Sequence, residues 1–206
     1  MNAKAVYLFV FGGMADWEPA FATAAINNPA FQRQPGRYRV VTAGAAGASI
    51  VTMGGLRILP ETTLRETEPA NSALLMLPGG QAWEQGGNGE AVDAARQFLA
   101  AGVPVAAICA ATLALARAGL LDDRRHTSNA AAYLAASGYK GAGLYSDAPA
   151  VTDGNVITAS GVAPIEFARE IFRKLELYED AVVEAWFALY RHGDASQYYK
   201  LASSTC

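Results

Sequence analysis

Short apolar runs alternate with amphipathic stretches along most of this chain. Continuous runs such as AVYLFVF have no polar face, which is typical of strands buried on both sides of a sheet. Stretches such as NGEAVDAARQFLAAG carry apolar side chains at helical spacing and end at a glycine. The predicted strands cover residues 5–11, 38–44, 73–80, 103–109 and 156–160. The predicted helices cover residues 18–28, 88–102, 110–119, 163–177 and 179–193.

This order of elements predicts the class of fold. Strands that alternate with helices imply right-handed crossovers and a mainly parallel sheet with helices on both faces, which is a doubly wound α/β fold. Residues 49–61 hold two short β-prone runs around a Gly-Gly pair, so a small β-hairpin is expected there. We expect one domain over residues 1–206, with residues 202–206 as a frayed polar tail.

Composition narrows the classes of function. Hydrophobic residues make up 52% of the chain and charged residues 17%, with a net charge of −3 and no run of Lys or Arg. A nucleic-acid partner or an anionic membrane partner is therefore not expected. No apolar run is long enough to cross a bilayer, and the apolar N-terminal run fits a core strand better than a signal peptide, so a cytoplasmic location is expected. Metal-binding and nucleotide-binding motifs are absent, so no metal or other cofactor is predicted.

Cys109 stands where a buried strand changes into a helix. Ligands of open parallel sheets bind outside the carboxyl ends of the strands, and this junction lies at that edge. The small residues Ala107 and Ala111 flank Cys109 at the two positions that a sharp strand-to-helix turn crowds. The N-terminus of the following helix is expected to lower the thiol pKa. These features favour a functional thiol over the alternative, a small buried apolar residue.

Few other side chains offer acid–base chemistry near this edge. Asp16 and Glu18 follow the first strand, and the residues alone leave open which of them faces Cys109 and which caps the helix. Only two histidines occur: His192 reads as a helix C-terminal cation, and His126 reads as a structural residue or a cleft residue.

Three further side chains bear on the site. Trp17 and Trp83 lie in two loops at the same edge, where they wall the pocket or pack in the core. Cys206 is the last residue, so a disulfide with Cys109 is not expected.

The motifs as a set resemble a known family. DWE after the first strand, LPGG, AICAATLALARAGLLDDRRHTSN and DGNVITASGVAPIEFA look like the ThiJ/PfpI superfamily, over about residues 4–175. The resemblance implies the flavodoxin-like, class I glutamine amidotransferase-like version of the doubly wound fold. It also implies a homodimer, for which the apolar AVVEAWFALY helix is a candidate face.

The resemblance assigns roles to individual residues. Cys109 corresponds to the family's reactive cysteine, and Glu18 to the glutamate that hydrogen-bonds this thiol. The backbone N–H groups of Gly80 and Ala110 correspond to its oxyanion hole, which stabilises negative charge on a carbonyl oxygen. Asp16, His126 and Asn129 are further candidates for the cleft.

The chain also departs from the family's patterns. The positions that carry histidine in peptidase-like and other members hold Ala110 and Asn129 here, and the late His-x-Glu of glutamine amidotransferases reads Pro164-x-Glu166. Peptidase and glutaminase activities are therefore not expected. The isocyanide hydratase branch lacks such a histidine too, but it prefers Asp at the first site and Thr after the cysteine.

The resulting expectation is a cysteine-dependent hydrolase or lyase that acts on a small electrophilic, carbonyl-like substrate. The alternative is a non-catalytic stress-response protein in which an oxidant converts Cys109 to a sulfinate beside protonated Glu18. A third interpretation is a scaffold with a vestigial site.

Overall fold

A seven-stranded sheet organises the chain in a computed structural model that describes residues 3–203. The strands are β1 (Lys4–Phe9), β2 (Tyr38–Gly44), β3 (Ile50–Val51), β4 (Arg57–Ile58), β5 (Thr62–Thr63), β6 (Ser72–Leu77), β7 (Val105–Ile108), β8 (Ala150–Asp153) and β9 (Val156–Ala159). Their order across the sheet is β5-β2-β1-β6-β7-β9-β8, and every neighbouring pair is parallel except β8 with β9. Strands β3 and β4 form a separate antiparallel pair, as the Gly-Gly pattern predicts.

Helices cover both faces of this sheet. They are α1 (Trp17–Asn27), α2 (Gly89–Ala100), α3 (Ala110–Arg117), α4 (Ala131–Ala135), α5 (Pro164–Leu175), α6 (Asp180–His192) and α7 (Ser196–Ser203). Helices α1, α5 and α6 pack together on one face, while α2 and α3 contact strands β6 and β7 from the other. The doubly wound α/β fold predicted from the alternation of patterns is confirmed.

The strand order reverses direction between β1 and β6. From β1 the chain moves through α1 to β2 on one side, and from β6 it moves through α2 to β7 on the other. The loops that leave β1, β6, β7 and β9 consequently meet at one edge, on both sides of this reversal. Such a reversal opens a crevice outside the carboxyl ends of the strands, and doubly wound proteins bind their ligands there.

The core explains why these strands lack a polar face. All four residues of β7 are buried, and Phe9 of β1 stacks on Phe11 with ring centroids 5.2 Å apart. Trp83 is 1% exposed, and its ring contacts both phenylalanines edge-on. Trp83 is therefore a packing residue beneath the loop that follows β6.

Some elements lie outside the sequence-based prediction. The hydrophobic pattern does not predict the short elements β5, β8, α4 and α7, because each contributes few apolar positions to a periodic pattern. Strand β8 turns back into β9 through Gly154, whose φ of 55° suits a tight hairpin turn after Asp153. Helix α7 ends at Ser203, and residues 204–206, including Cys206, lie outside the described residues. The frayed tail and the single-domain extent remain predictions.

Within residues 3–203, none of the helices has the length and hydropathy needed to cross a bilayer.

Candidate active site

Cys109 occupies a strained backbone position between β7 and α3. Its φ of 58° and ψ of −130° place it in a region that residues with a side chain rarely adopt, at a typical cost of about 1–3 kcal/mol. Hydrogen bonds hold the turn on both sides: the Cys109 N–H donates to the Ala159 carbonyl at 3.0 Å, and the Thr112 hydroxyl donates to the Cys109 carbonyl at 2.6 Å. The predicted small neighbours, Ala107 and Ala111, are completely buried against this turn. The surrounding fold therefore fixes the direction of the thiol.

Glu18 is the carboxylate that faces Cys109. It lies in the first turn of α1, is 1% exposed, and accepts a hydrogen bond through Oε2 from the Gly79 N–H. Its other oxygen, Oε1, is buried and has no hydrogen-bond partner within residues 3–203. Burial raises the pKa of Glu18, while the Gly79 N–H and the Cys109 thiol act in the opposite direction. The site thus holds a buried carboxyl group that is a stronger base than an exposed glutamate.

Two glycines allow the thiol and the carboxyl group to lie together. A Cβ on Gly79 would stand 3.0 Å from Cys109 Sγ and 2.8 Å from Glu18 Oε2. A Cβ on Gly161 would stand 2.8 Å from Sγ and 3.2 Å from Glu18 Oε1. The pair is therefore enclosed between two bare backbone segments, from the loops after β6 and β9. The contact of these glycines with the thiol is not predicted from the sequence: Gly79 lies at the end of the predicted strand 73–80, and Gly161 directly follows the predicted strand 156–160.

Asn129 is the side chain that connects the thiol to the loop after β9. Its Nδ2 donates to Cys109 Sγ at 3.4 Å, and its Oδ1 accepts from the Gly161 N–H at 2.9 Å. Trp17 Nε1 donates to the Gly161 carbonyl at 3.2 Å, and the Trp17 side chain is half exposed at the rim. The structure thus brings together Cys109, Glu18, Asn129 and Trp17 around one glycine.

The thiol pKa differs from the sequence-based expectation. Burial, followed by the negative charge of Glu18, raises the pKa of Cys109 to about 11. The Asn129 amide and the Ala110 N–H act in the opposite direction but are outweighed. The helix N-terminus alone therefore does not set the thiol pKa, and the expectation of a lowered value is wrong for this arrangement.

The backbone N–H groups of Ala110 and Gly80 differ in their partners. The Ala110 N–H is directed at the Cys109 sulfur, and the Gly80 N–H has no hydrogen-bond partner within residues 3–203. A Cβ on Gly80 would stand 2.9 Å from the Gly13 carbonyl oxygen and from the Phe11 ring, so the loops after β1 and β6 pack closely here.

Asp16 is the carboxylate that does not face the thiol. Its Oδ2 accepts a hydrogen bond from the Gly54 N–H at 2.6 Å, which ties the turn of the β3–β4 hairpin to the start of α1. Asp16 stands at the helix N-cap position, but its side chain caps no N–H group of the helix. The residues alone leave open whether Asp16 or Glu18 faces Cys109, and in the structure it is Glu18.

Neither histidine lies at the thiol. His126 is completely buried, and its ring nitrogens are 2.8 Å from the Arg124 carbonyl and 2.9 Å from the Tyr139 hydroxyl. It belongs to a structural network rather than to the cleft. His192 is exposed in the last turn of α6.

Glu166 has a partner of its own. Arg191 Nε donates to Glu166 Oε1 at 2.6 Å, and both residues line a cavity of about 330 Å³ that Asn129 borders. Pro164 occupies the neighbouring position where glutamine amidotransferases carry histidine.

Within residues 3–203, no three His, Cys, Asp or Glu side chains are grouped to hold a metal ion.

Fold and site together define a doubly wound α/β protein with a cysteine at the strand-to-helix turn. The model of the DJ-1/PfpI family matches residues 4–174, so this chain belongs to the DJ-1/PfpI family.

The chain is 36% identical to the uncharacterized protease YoaZ of Bacillus subtilis, over 99% of each sequence. A thiJ/pfpI family protein from Bacillus anthracis superposes with a TM-score of 0.94 at 38% identity, covering 100% of this chain and 98% of the other. A DJ-1 superfamily protein from Agrobacterium tumefaciens superposes with a TM-score of 0.82 at 35% identity, covering 92% and 98%.

Proposed function

We propose that this protein is a cysteine-dependent enzyme that acts on small electrophilic carbonyl compounds, with Cys109 as nucleophile and Glu18 as proton carrier. The observation that carries this proposal is the buried Glu18 carboxyl group, held against a strained cysteine between Gly79 and Gly161. Burying a carboxylate costs free energy, and its Oε1 oxygen gains no structural hydrogen bond in return within residues 3–203.

The first covalent step follows from the raised pKa values of the Cys109 thiol and the Glu18 carboxyl group. The thiol keeps its proton near neutral pH, and Glu18 is well placed to accept it as the sulfur attacks. A bond forms between Sγ and the carbonyl carbon, and the π electron pair moves to the carbonyl oxygen. The Glu18 proton then passes to that oxygen, which gives a neutral hemithioacetal and regenerates the carboxylate. No further reactant is needed for this step.

The oxyanion formed in this step needs hydrogen-bond donors. We assign this role to the backbone N–H groups of Gly80 and Ala110, which come from the loop after β6 and the first residue of α3. Donors fixed by backbone geometry stabilise developing charge without reorganisation, and loss of one typically costs about 10²–10³ in rate.

Proteolysis receives less support, although YoaZ carries a protease name. Cysteine proteases pair the nucleophile with histidine. Both histidines of this chain lie away from Cys109, one in the Tyr139 network and one at the end of α6. A carboxylate base suits addition to an aldehyde, which has no leaving amine to protonate.

The redox alternative uses the same thiol and the same carboxyl group. Oxidation to a sulfinate proceeds through the thiolate, so susceptibility follows the thiolate fraction. Burial and the charge of Glu18 raise the pKa of Cys109 to about 11, which keeps that fraction small near neutral pH.

A homodimer remains part of the proposal, and helix α6 offers such an interface the side chain of Tyr190, which is 51% exposed. The apolar residues Val182, Val183 and Trp186 of α6 are buried in the core of the chain itself. Met53 and Leu56, on the hairpin beside the site, are 54% and 61% exposed. We expect Leu56→Glu to convert the dimer to a monomer in sedimentation equilibrium. A wild-type protein that sediments as a monomer would contradict the proposed homodimer.

The activity is tested with methylglyoxal and a panel of small aldehydes. We expect consumption that falls to background in Cys109→Ser and persists in Cys206→Ser, the matched control for the other cysteine. Turnover that survives Cys109→Ser would overturn the proposal.

A further inference from the structure

The Asn129 amide has one allowed orientation at the thiol. The Gly161 N–H can only donate, so the amide atom that meets it at 2.9 Å is the oxygen Oδ1. The Nδ2 group is thereby directed at Cys109 Sγ, 3.4 Å away. A neutral thiol sulfur is a weak acceptor, whereas hydrogen bonds to ionised groups are about twice as strong. The contact between the amide and the sulfur therefore strengthens when the thiol loses its proton.

The residue before Asn129 anchors this amide. Asn129 is exposed, and holding an exposed side chain in one position costs conformational entropy unless its backbone is fixed. Ser128 is 3% exposed, and its Oγ lies 2.6 Å from the hydroxyl of Thr112, a completely buried residue of α3. The segment that carries Asn129 is thus fastened to the helix that begins next to Cys109.

The direction of these hydrogen bonds follows from the acceptor at their end. Thr112 Oγ1 also lies 2.6 Å from the Cys109 carbonyl oxygen, which can only accept. The single proton of the Thr112 hydroxyl is used there, so Ser128 donates its own proton to Thr112. Both hydroxyl protons are committed, and neither side chain can turn without breaking a buried hydrogen bond.

These contacts close a ring that begins and ends at Cys109. The ring runs from the Cys109 carbonyl through Thr112 and Ser128 to Asn129, and it returns to the cysteine through the contact of the amide with Sγ. It ties the backbone of the cysteine, with its φ of 58°, to the position of the amide. A change at Thr112 should therefore reach the sulfur through Asn129.

We propose that the Asn129 amide donates a hydrogen bond to the sulfur as Cys109 loses its proton, and that Thr112 and Ser128 are positioning residues for this amide. This inference rests on the proposed role of Cys109 as nucleophile, to which it adds a stabilising donor and the two residues that hold it. Asn129 contacts the reacting atom, whereas Thr112 and Ser128 act through Asn129.

The test measures the rate at which iodoacetamide alkylates Cys109 on the native protein, read by peptide mapping. At about pH 9 the small thiolate fraction sets this rate. The variants are Asn129→Ala, Thr112→Val, which keeps the shape of the side chain but removes its hydroxyl, and Thr112→Ser, which retains a hydroxyl. The fourth variant combines Thr112→Val with Asn129→Ala.

Thr67→Val is the matched control. The Thr67 hydroxyl donates to the Leu64 carbonyl at 2.7 Å, three residues earlier, just as the Thr112 hydroxyl donates to the Cys109 carbonyl. Thr67 lies in the segment between β5 and β6 and takes no part in the ring. We expect the wild-type alkylation rate in this variant.

The alkylation rate should fall roughly three- to tenfold in Asn129→Ala, the range expected for one hydrogen bond. Thr112→Val should slow the reaction by about two- to fivefold, a smaller effect because Gly161 still holds the amide. Thr112→Ser should stay within roughly twofold of the wild-type rate, because its hydroxyl can replace the lost donor. The double variant should react as fast as Asn129→Ala alone, because the amide through which Thr112 acts is gone.

The double variant separates positioning from general damage to the fold. If Thr112→Val lowered the rate by the same factor with and without the Asn129 amide, or if Asn129→Ala reacted at the wild-type rate, the inference would be overturned and the proposed function would stand. A native Cys109 that iodoacetamide does not modify in any form of the protein would reject the proposed function itself. If Thr112→Val does not fold, Ser128→Ala replaces it in the same comparison, because it leaves the bond between Thr112 and Cys109 in place.

Discussion

Two buried ionisable side chains, Glu18 and His126, differ in how completely their polar atoms are hydrogen-bonded. His126 is completely buried, and both ring nitrogens have a hydrogen-bond partner. Glu18 is buried almost as deeply, but its Oε1 has no hydrogen-bond partner within residues 3–203, and it adjoins a cysteine with φ of 58°. Satisfied burial is what a structural role requires, whereas unsatisfied burial next to backbone strain indicates a group kept for chemistry. Substitutions at the two sites should therefore have opposite consequences.

The largest effect is expected at Glu18. Glu18→Gln keeps the shape and the oxygen that accepts from Gly79 but removes the base, so turnover of the carbonyl substrate should fall by about 10²–10⁴. The free energy of unfolding at neutral pH should stay level or rise, since a buried carboxyl group is no longer ionised. Turnover and urea denaturation are measured on the same preparation. Normal turnover in this variant would remove Glu18 from the mechanism.

His126→Ala should show the reverse pattern. It leaves a cavity and deprives the Tyr139 hydroxyl and the Arg124 carbonyl of a partner, so we expect a loss of about 2–4 kcal/mol in the free energy of unfolding. Native Cys109 should still be alkylated at the wild-type rate. His192→Ala, at an exposed helix end, is the control and should cost less than about 1 kcal/mol. A strong loss of Cys109 reactivity in a folded His126→Ala protein would contradict the purely structural role of His126.

Gly161→Ala tests the enclosure of the thiol. The new Cβ would lie 2.8 Å from Sγ and 2.9 Å from Cys109 Cβ, so the thiol or the loop after β9 must move. A displacement near 1 Å at a reacting centre costs up to about 10² in rate, and we expect turnover to fall by that order. Gly47→Ala, whose Cβ meets nothing within 4 Å, is the matched control. Equal turnover in the two variants would show that close approach of Gly161 is unimportant.

The smallest effect is a shift in the pH profile of Cys109 alkylation. Burial and the Glu18 charge raise the thiol pKa to about 11, so the wild-type rate should keep increasing well above pH 9. Removing the charge in Glu18→Gln should move the midpoint to lower pH. A midpoint that stays unchanged in this variant would mean that Glu18 does not act on the thiol.

The same raised pKa affects stability. The native protein keeps a thiol proton that the unfolded chain loses near pH 9, so the unfolded state binds fewer protons between about pH 9 and 11. The stabilisation is complete below the unfolded pKa and is lost as pH rises through the folded value. Urea denaturation across this range should show a decrease that is absent in Cys109→Ser.

Part of this site could be predicted from the chain alone. The position of Cys109 follows from a change of hydrophobic period and from two small neighbours, both of which are local signals. Glu18 and Asn129 follow from their place in motifs. The family assignment is confirmed over residues 4–174.

Other features carry no local signal. Thr112 and Ser128 lie 16 positions apart, and nothing in the sequence pairs their hydroxyl groups. Gly79 and Gly161 look like ordinary turn glycines until their backbones are placed against the thiol.

By itself, the sequence determined the order of the longer strands and helices, the doubly wound fold and the position of the cysteine at the sheet edge. These depend on periodicity and on neighbours within a few residues. Only the tertiary structure decided that Asp16 binds the Gly54 turn of the hairpin, that His126 is a satisfied structural residue, and that the thiol pKa rises. Burial and charge pairing depend on groups that are distant along the chain, and the folded molecule alone brings them within hydrogen-bond distance.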